Sequence, residues 1–223
     1  MSNEVEALLE DKRSWECAIH PLLAQRRTLR AFCERRVEPE TLRLILEAAR
    51  VAPSSMNEQP WNFIIATREN ELEFNRLLGC LLEFNLRWAQ LAPVLLLSVA
   101  RLTFTSTGEP NRHALHDVGQ AMASLTFQAS ACGLAVCQMA GFEIEKARQE
   151  FSIPANHEPV VAAAIGYPGD PRSLPEKLQR KTLAAQHRKS TEEFVFESIW
   201  GKSAPTLATQ PAGNQTVGVT LLS

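Results

Sequence analysis

Among the ten glycines of this 223-residue chain no GxGxxG occurs, so the turn that sets a dinucleotide pyrophosphate on a helix N-terminus is missing. HExxH and GxSxG are absent as well, which removes the zincin and nucleophile-elbow signatures. Gly201-Lys202-Ser203 ends like a P-loop, but Phe196 stands where its first glycine belongs. Cysteine is scarce: five residues, at 17, 33, 80, 132 and 137, odd in number and without CxxC spacing. A disulfide framework or zinc ribbon is therefore not expected; a reduced, cytoplasmic protein with buried thiols is. Charge imbalance is small, with 23 Lys and Arg against 25 Asp and Glu. It provides no general attraction to nucleic acid or an anionic membrane, so basic residues that matter must be locally clustered. The longest apolar run, residues 92–100, falls well short of the roughly 20 residues of a membrane-spanning helix. The opening Met1-Ser2-Asn3-Glu4 shows no charged-then-apolar leader pattern.

What is present is a composition that can fill a core: 45% hydrophobic and 22% charged residues, ordinary for one globular domain. Helical spacing covers residues 4–25, with Ser2 or Asn3 as a cap, and residues 39–51, where Pro39 suits the first turn. A helix is predicted over 69–85 and a long one over 111–132, in which Leu115, Val118, Met122, Leu125, Ala129 and Cys132 share a face before Gly133. A shorter helix is predicted at 143–151, and strands at 62–67, 93–100, 134–139 and 159–167. Residues 170–190 read as a surface excursion, residues 194–200 as a brief apolar arm, and residues 202–223 as a disordered tail.

Three segments bear polar chemistry. Arg26-Arg27-Thr28-Leu29-Arg30 can clamp a phosphate through charge-assisted hydrogen bonds; read alone it is more readily a solvated basic turn. Pro53-Ser54-Ser55-Met56-Asn57-Glu58-Gln59-Pro60-Trp61 offers small polar groups between prolines, suited to a planar heterocycle or simply to stopping a helix. Residues 133–142, GLAVCQMAGF, carry a strand into a glycine turn where backbone can approach a ligand or merely connect elements. His113, His116 and Asp117 could share a metal, although capping or surface roles suit such histidines better, and no metal is expected. Cys137 has no evident histidine partner and reads as a buried thiol.

Taken together and in order, these segments resemble the nitroreductase family of FMN enzymes. The resemblance runs through Arg26-Arg27-Thr28-Leu29-Arg30-Ala31-Phe32, the loop 52–61, the turn 133–142, the segment 159–171 and the segment 188–196. It covers roughly residues 20–201. Thr28 stands in place of the more usual serine, and Cys137 in place of a frequent histidine. The resemblance implies an α+β fold with a central mixed sheet flanked by helices, one domain over residues 1–201, and FMN at a homodimer interface. It implies that Arg26, Arg27 and Thr28 hold the FMN phosphate and that Arg30 lies at the flavin N1/O2 edge. Pro53, Ser54, Ser55 and Asn57 would come from the partner subunit, and Asn85, of an Asn85-Leu86-Arg87-Trp88 segment, would touch the flavin. Gln138, Met139, Ala140 and Gly141 would turn backbone N–H groups to the ring, Ala140 and Gly141 beside Arg30 at the reacting edge. Arg188, with Lys189 as its rival, would close over the phosphate.

The implied chemistry is ping-pong hydride transfer, with NAD(P)H as donor and a nitroaromatic, a quinone or a related small molecule as acceptor in one shared pocket. A missing Rossmann fingerprint agrees with that. The same resemblance leaves open other flavin chemistry (ene reduction, dehalogenation, flavin fragmentation) or a flavin-binding protein with little turnover.

Overall fold

The apolar runs become four strands, β1 (Trp61–Thr67), β2 (Val94–Arg101), β3 (Ala135–Met139) and β4 (His157–Gly166). They join in the order β1-β2-β4-β3. Every pairing is antiparallel, so the α+β class holds while the expected mixed sheet is antiparallel across its described strands. The computed structural model describes residues 19–184 and 186–207, and these fall into two compact units divided at that gap.

β2 and β4 occupy the middle of the sheet, which explains why β2 is an unbroken apolar run. Side chains alternate between faces along a strand, and here both faces are covered. Leu95, Leu97 and Val99 enter one core; Val94, Leu96 and Ala100 enter the other. Seven helices of the described residues surround the sheet: α1 (Pro21–Gln25), α2 (Pro39–Arg50), α3 (Glu71–Leu78), α4 (Glu83–Ala89), α5 (Ala114–Ala131), α6 (Ile144–Glu150) and α7 (Glu176–Leu183). The 18 residues of α5 extend about 27 Å at about 1.5 Å each. Its Ala114, Val118, Ala121, Met122, Leu125 and Ala129 pack with Ile45 and Ala49 of α2. Among the described residues, no helix is long and apolar enough to cross a membrane.

Three expectations are corrected. The helix expected over 69–85 is two helices, because Cys80 and Leu81 are buried between them and their backbone serves a distant turn. Glu143 N–H donates to Cys80 O at 2.8 Å, Leu82 N–H to Gly141 O at 3.1 Å, and Leu81 bridges Phe142. Those pairings replace helical ones. The 170–190 excursion contains α7, whose Leu178 and Thr182, four residues apart, are buried alongside Leu174. Leu115, expected on the apolar face of α5, is 52% exposed, since it projects from the first turn away from the contact with α2. Of the helix predicted over 4–25, the described part contains α1, where His20 Nδ1 accepts from Leu22 N–H; residues 4–18, with the proposed caps Ser2 and Asn3, lie outside the described residues.

In the second unit a capping box of Ser190 and Glu193 starts a short 3₁₀ turn, Thr191–Glu193. Phe196 pairs with Ser203, and Phe194, Ile199 and Trp200 are exposed. Residues 202–207 of the expected tail end in a 3₁₀ turn, Pro205–Leu207; its remainder lies outside the described residues.

Candidate active site

The arginine-bearing segment is held from beneath. Leu29, Ala31 and Phe32 are buried, and the chain after β4 zips onto them. Cys33 N–H donates to Tyr167 O at 3.1 Å, Gly169 N–H donates to Ala31 O at 2.9 Å, and Phe32 bridges Pro168. A Cβ on Gly169 would stand 2.5 Å from the Phe32 carbonyl carbon, closer than any relaxed packing allows. The Gly-Tyr-Pro-Gly-Asp motif thus acts structurally, as a clamp on the strand that carries Arg30.

Above this clamp the cations separate by role. Arg26 Nη1 donates to Thr28 Oγ1 at 3.5 Å, and Arg27 Nη2 donates to Thr182 O at 3.1 Å, fastening α7 to the segment. The Arg30 guanidinium carbon lies 5.7 Å from the centroid of the buried Trp88 ring, a cation–π arrangement. Its Nε is buried without a hydrogen-bond partner, an expensive state for a polar atom unless a ligand satisfies it.

A second group meets Arg30 from α4 and β3. Asn85 is buried and its Nδ2 donates to Gly141 O at 3.0 Å, the carbonyl that Leu82 N–H also reaches. A Cβ on Gly141 would fall 2.6 Å from Asn85 Nδ2, so only glycine keeps this corner intact. Met139 is buried, Ala140 is exposed, and exposed Gln138 donates from Nε2 to Thr126 Oγ1 at 3.3 Å. Burial pushes the Cys137 thiol up to about 11, against an opposing pull from Arg30 and Lys181. The thiol is therefore protonated at neutral pH and is no nucleophile, as its sequence context suggested. Both cations lie within electrostatic reach of it.

The hydroxyl-rich loop forms a separate group. The carboxylate of Asp117, buried in the first turn of α5, accepts the Ser55 N–H at 3.0 Å. Gln120 Nε2 donates to Pro53 O at 3.4 Å, and Ser54 Oγ accepts from Gln59 N–H at 3.0 Å. Glu58 is bonded to Arg101 and to both the hydroxyl and the N–H of Thr105. Those bonds, the Thr105 hydroxyl foremost, hold its carboxyl below the usual glutamate range. Met56, Asn57 and Gln59 all take left-handed backbone, with φ of 57°, 53° and 51°. Asparagine tolerates that region; methionine does not readily. Pro53, Met56 and Asn57 are exposed.

Among the described residues, the Arg30–Trp88 cation–π contact, the place of Asn85 and Trp88 on one helix, and the Asn85–Gly141 hydrogen bond gather these residues into one neighbourhood; no hydrogen bond or ion pair described connects the 53–60 loop to it. Arg188 belongs to the second unit, where its guanidinium donates to His187 O and Gln186 Oε1. No group of three or more His, Cys, Asp or Glu among the described residues could hold a metal, and Asp117 serves the loop instead. Sequence reasoning missed Asp117 as a brace, although a carboxylate on an otherwise apolar helix stripe was a readable signal. It also missed Lys181, because nothing local marks the contacts that α7 makes.

A model of the nitroreductase family covers residues 23–167, and the chain belongs to that family. It is similar to a solved structure described as an oxidoreductase containing FMN, with TM-score 0.82 and 29% identity over 87% of this chain and 98% of that one. It is 26% identical to the iodotyrosine deiodinase of Haliscomenobacter hydrossis across 79% of this chain and 90% of that protein. It is also 32% identical to an uncharacterized 15.4 kDa protein of Mycolicibacterium smegmatis, over 40% of this chain and only 60% of that protein.

Proposed function

We propose that this protein is an FMN-dependent oxidoreductase that takes electrons from NAD(P)H and delivers them, in ping-pong fashion, to a nitroaromatic, a quinone or a related acceptor. The observation that carries this reading is the unpartnered, buried Arg30 Nε beside the glycine corner that Asn85 holds. The residues present fit the cofactor. A phosphate suits the Arg26, Arg27 and Thr28 cluster, and a flat ring suits a corner where a single Cβ would collide with Asn85. The similar structure described as containing FMN supports the same choice.

FMN, when bound, supplies the hydride-accepting and hydride-donating ring. Arg26 and Thr28 bind the phosphate, with Arg27 beside them and steadied by Thr182 O. Arg30 stabilises negative charge at the pyrimidine edge, N1 and O2, an electrostatic contribution of the kind that usually dominates such sites. Asn85 holds Gly141 O and so steadies the turn after β3, from which backbone N–H groups of residues 138–141 would meet the ring, one of them at N5. No side-chain nucleophile takes part, consistent with a Cys137 thiol pushed up to about 11.

Pro53, Ser54, Ser55 and Asn57 belong, in this proposal, to the site of a second copy. The loop is rigidly braced, turns Met56 and Asn57 outward and makes no bond to its own Arg30 group, which suits a homodimer with two shared sites. The iodotyrosine deiodinase relative favours a second reading of the acceptor, reductive dehalogenation, on the same flavin.

The test begins with the purified protein, expected to be yellow, dimeric and bleached anaerobically by NADH or NADPH. Arg30→Ala is expected to lower flavin affinity or reduction rate by about tenfold, the size of one charge-assisted hydrogen bond. Unchanged affinity together with an unchanged rate would remove Arg30 from the mechanism. Bound FMN that neither nicotinamide can bleach would mark a flavin-binding protein with little turnover.

A further inference from the structure

α7 brings a cation to this site that the proposed flavin chemistry leaves unused. On α7 Arg180 pairs with Glu176, and on α4 Arg87 pairs with Glu83. Lys181, exposed on α7, has no acidic partner among the described residues; its Nζ instead lies 5.6 Å from the centroid of the Phe84 ring. Phe84 is 50% exposed, large for an aromatic ring, and is the residue next to Asn85. Thr182, the residue after Lys181, is the one fastened to Arg27. Lys181 is thus anchored to the arginine segment on one side and touches α4 on the other. Its charge, like that of Arg30, acts on the buried Cys137 thiol.

We propose that Lys181 and Phe84 select the electron acceptor, the exposed ring stacking on an aromatic substrate and the ammonium binding an acid group on that substrate. The inference rests on the flavin reading above. Arg30 is half-buried over Trp88 with its Nε enclosed; Lys181 is exposed and has no acidic partner to exchange before it meets an incoming anion. An exposed aromatic face next to an unpaired ammonium supplies two complementary contacts, stacking for the ring and a charge-assisted bond for the carboxylate. A neutral arene gains only the first. Among the acceptors proposed above, aromatic ones that carry an acid group are therefore favoured over their neutral counterparts.

The experiment uses the full-length, FMN-loaded protein and two isosteric probes that it cannot reduce, benzoate and benzamide. Dissociation constants are read from the flavin absorbance change and from calorimetry. The wild type is expected to prefer benzoate, and Lys181→Met is expected to reduce the benzoate-to-benzamide preference about tenfold, the effect of one charge-assisted bond. Lys181→Arg should restore most of it. Phe84→Ala should weaken both probes alike. The same preference should appear in KM for 4-nitrobenzoate against 4-nitrobenzamide when the flavin is reduced chemically, with no nicotinamide present. Equal binding of the two probes by the wild type, or an unchanged preference in Lys181→Met, overturns the inference while leaving the flavin reading intact. A Lys181→Met variant that changes only the KM for NADPH overturns it in favour of a donor-phosphate site. One that loses FMN overturns it by assigning Lys181 to the cofactor. A wild-type chain that takes up no FMN overturns the flavin reading itself and this inference with it.

Discussion

The 53–60 loop and the corner formed by Asn85 and Gly141 are both dense in family-like residues, yet they are built in opposite ways. The corner is completed within its own unit: Asn85 is buried, Gly141 has no room for a side chain, and Trp88 lies fully enclosed under Arg30. The loop is braced from behind by Asp117 and Glu58 while its front carries left-handed, solvent-facing residues. A corner of that kind owes its shape to packing. A loop of that kind owes its shape to a few polar bonds that oppose backbone strain, and it turns its strained residues to solvent.

The contrast can be broken most heavily at Trp88. Trp88→Ala should cost about 3–5 kcal/mol, as large-to-small changes in a tight core do, and denaturant unfolding should register the loss globally. Asp117→Ala should cost about 1.5–3 kcal/mol at most, the range for a hydrogen bond to a charged acceptor. Hydrogen exchange should confine that loss mainly to residues 54–59, leaving the corner protected; equal deprotection of both regions would end the distinction. Met56→Gly should stabilise by about 1 kcal/mol, because glycine adopts φ near 57° without the left-handed penalty. A destabilised variant would mean that the Met56 side chain, 86% exposed, makes contacts that outweigh its strain.

The smallest effect is a pH dependence. The Thr105 hydroxyl and N–H, then Arg101, depress the carboxyl of Glu58 below its ordinary 4.5. A depressed folded-state value means that the unfolded chain binds the proton more readily, so the contribution is complete above about 4.5 and fades as pH falls through the lower folded value. Glu58→Gln should flatten that acid limb when stability is followed from pH 6 to 3, and an identical slope in the two proteins would remove Glu58 as a brace.

Much of this was legible beforehand. Strands β1 to β4 were readable because sheet cores need alternating or unbroken apolar runs, and α2 and α5 because their apolar stripes repeat at helical spacing. The cluster of Arg26, Thr28 and Arg30 and the glycine turn at 141 were readable because few residue types meet those demands. The break between α3 and α4 was not, since residues 69–85 keep a helical pattern until Leu81 and Leu82 find partners at Phe142 and Gly141. Nor was α7, whose inward residues Leu178 and Thr182 are too few to raise a periodic signal.

By itself the amino-acid sequence determined the family and the order of the segments proposed to hold the flavin, because each such segment is a local pattern of charge, hydroxyl and glycine. Tertiary structure alone decided that the Gly-Tyr-Pro-Gly-Asp motif clamps the Arg30 strand, that Asp117 holds the loop, and that Lys181 comes to rest on Phe84. Those are contacts between residues far apart in the chain, and their partners become identifiable only once the fold has closed the distance.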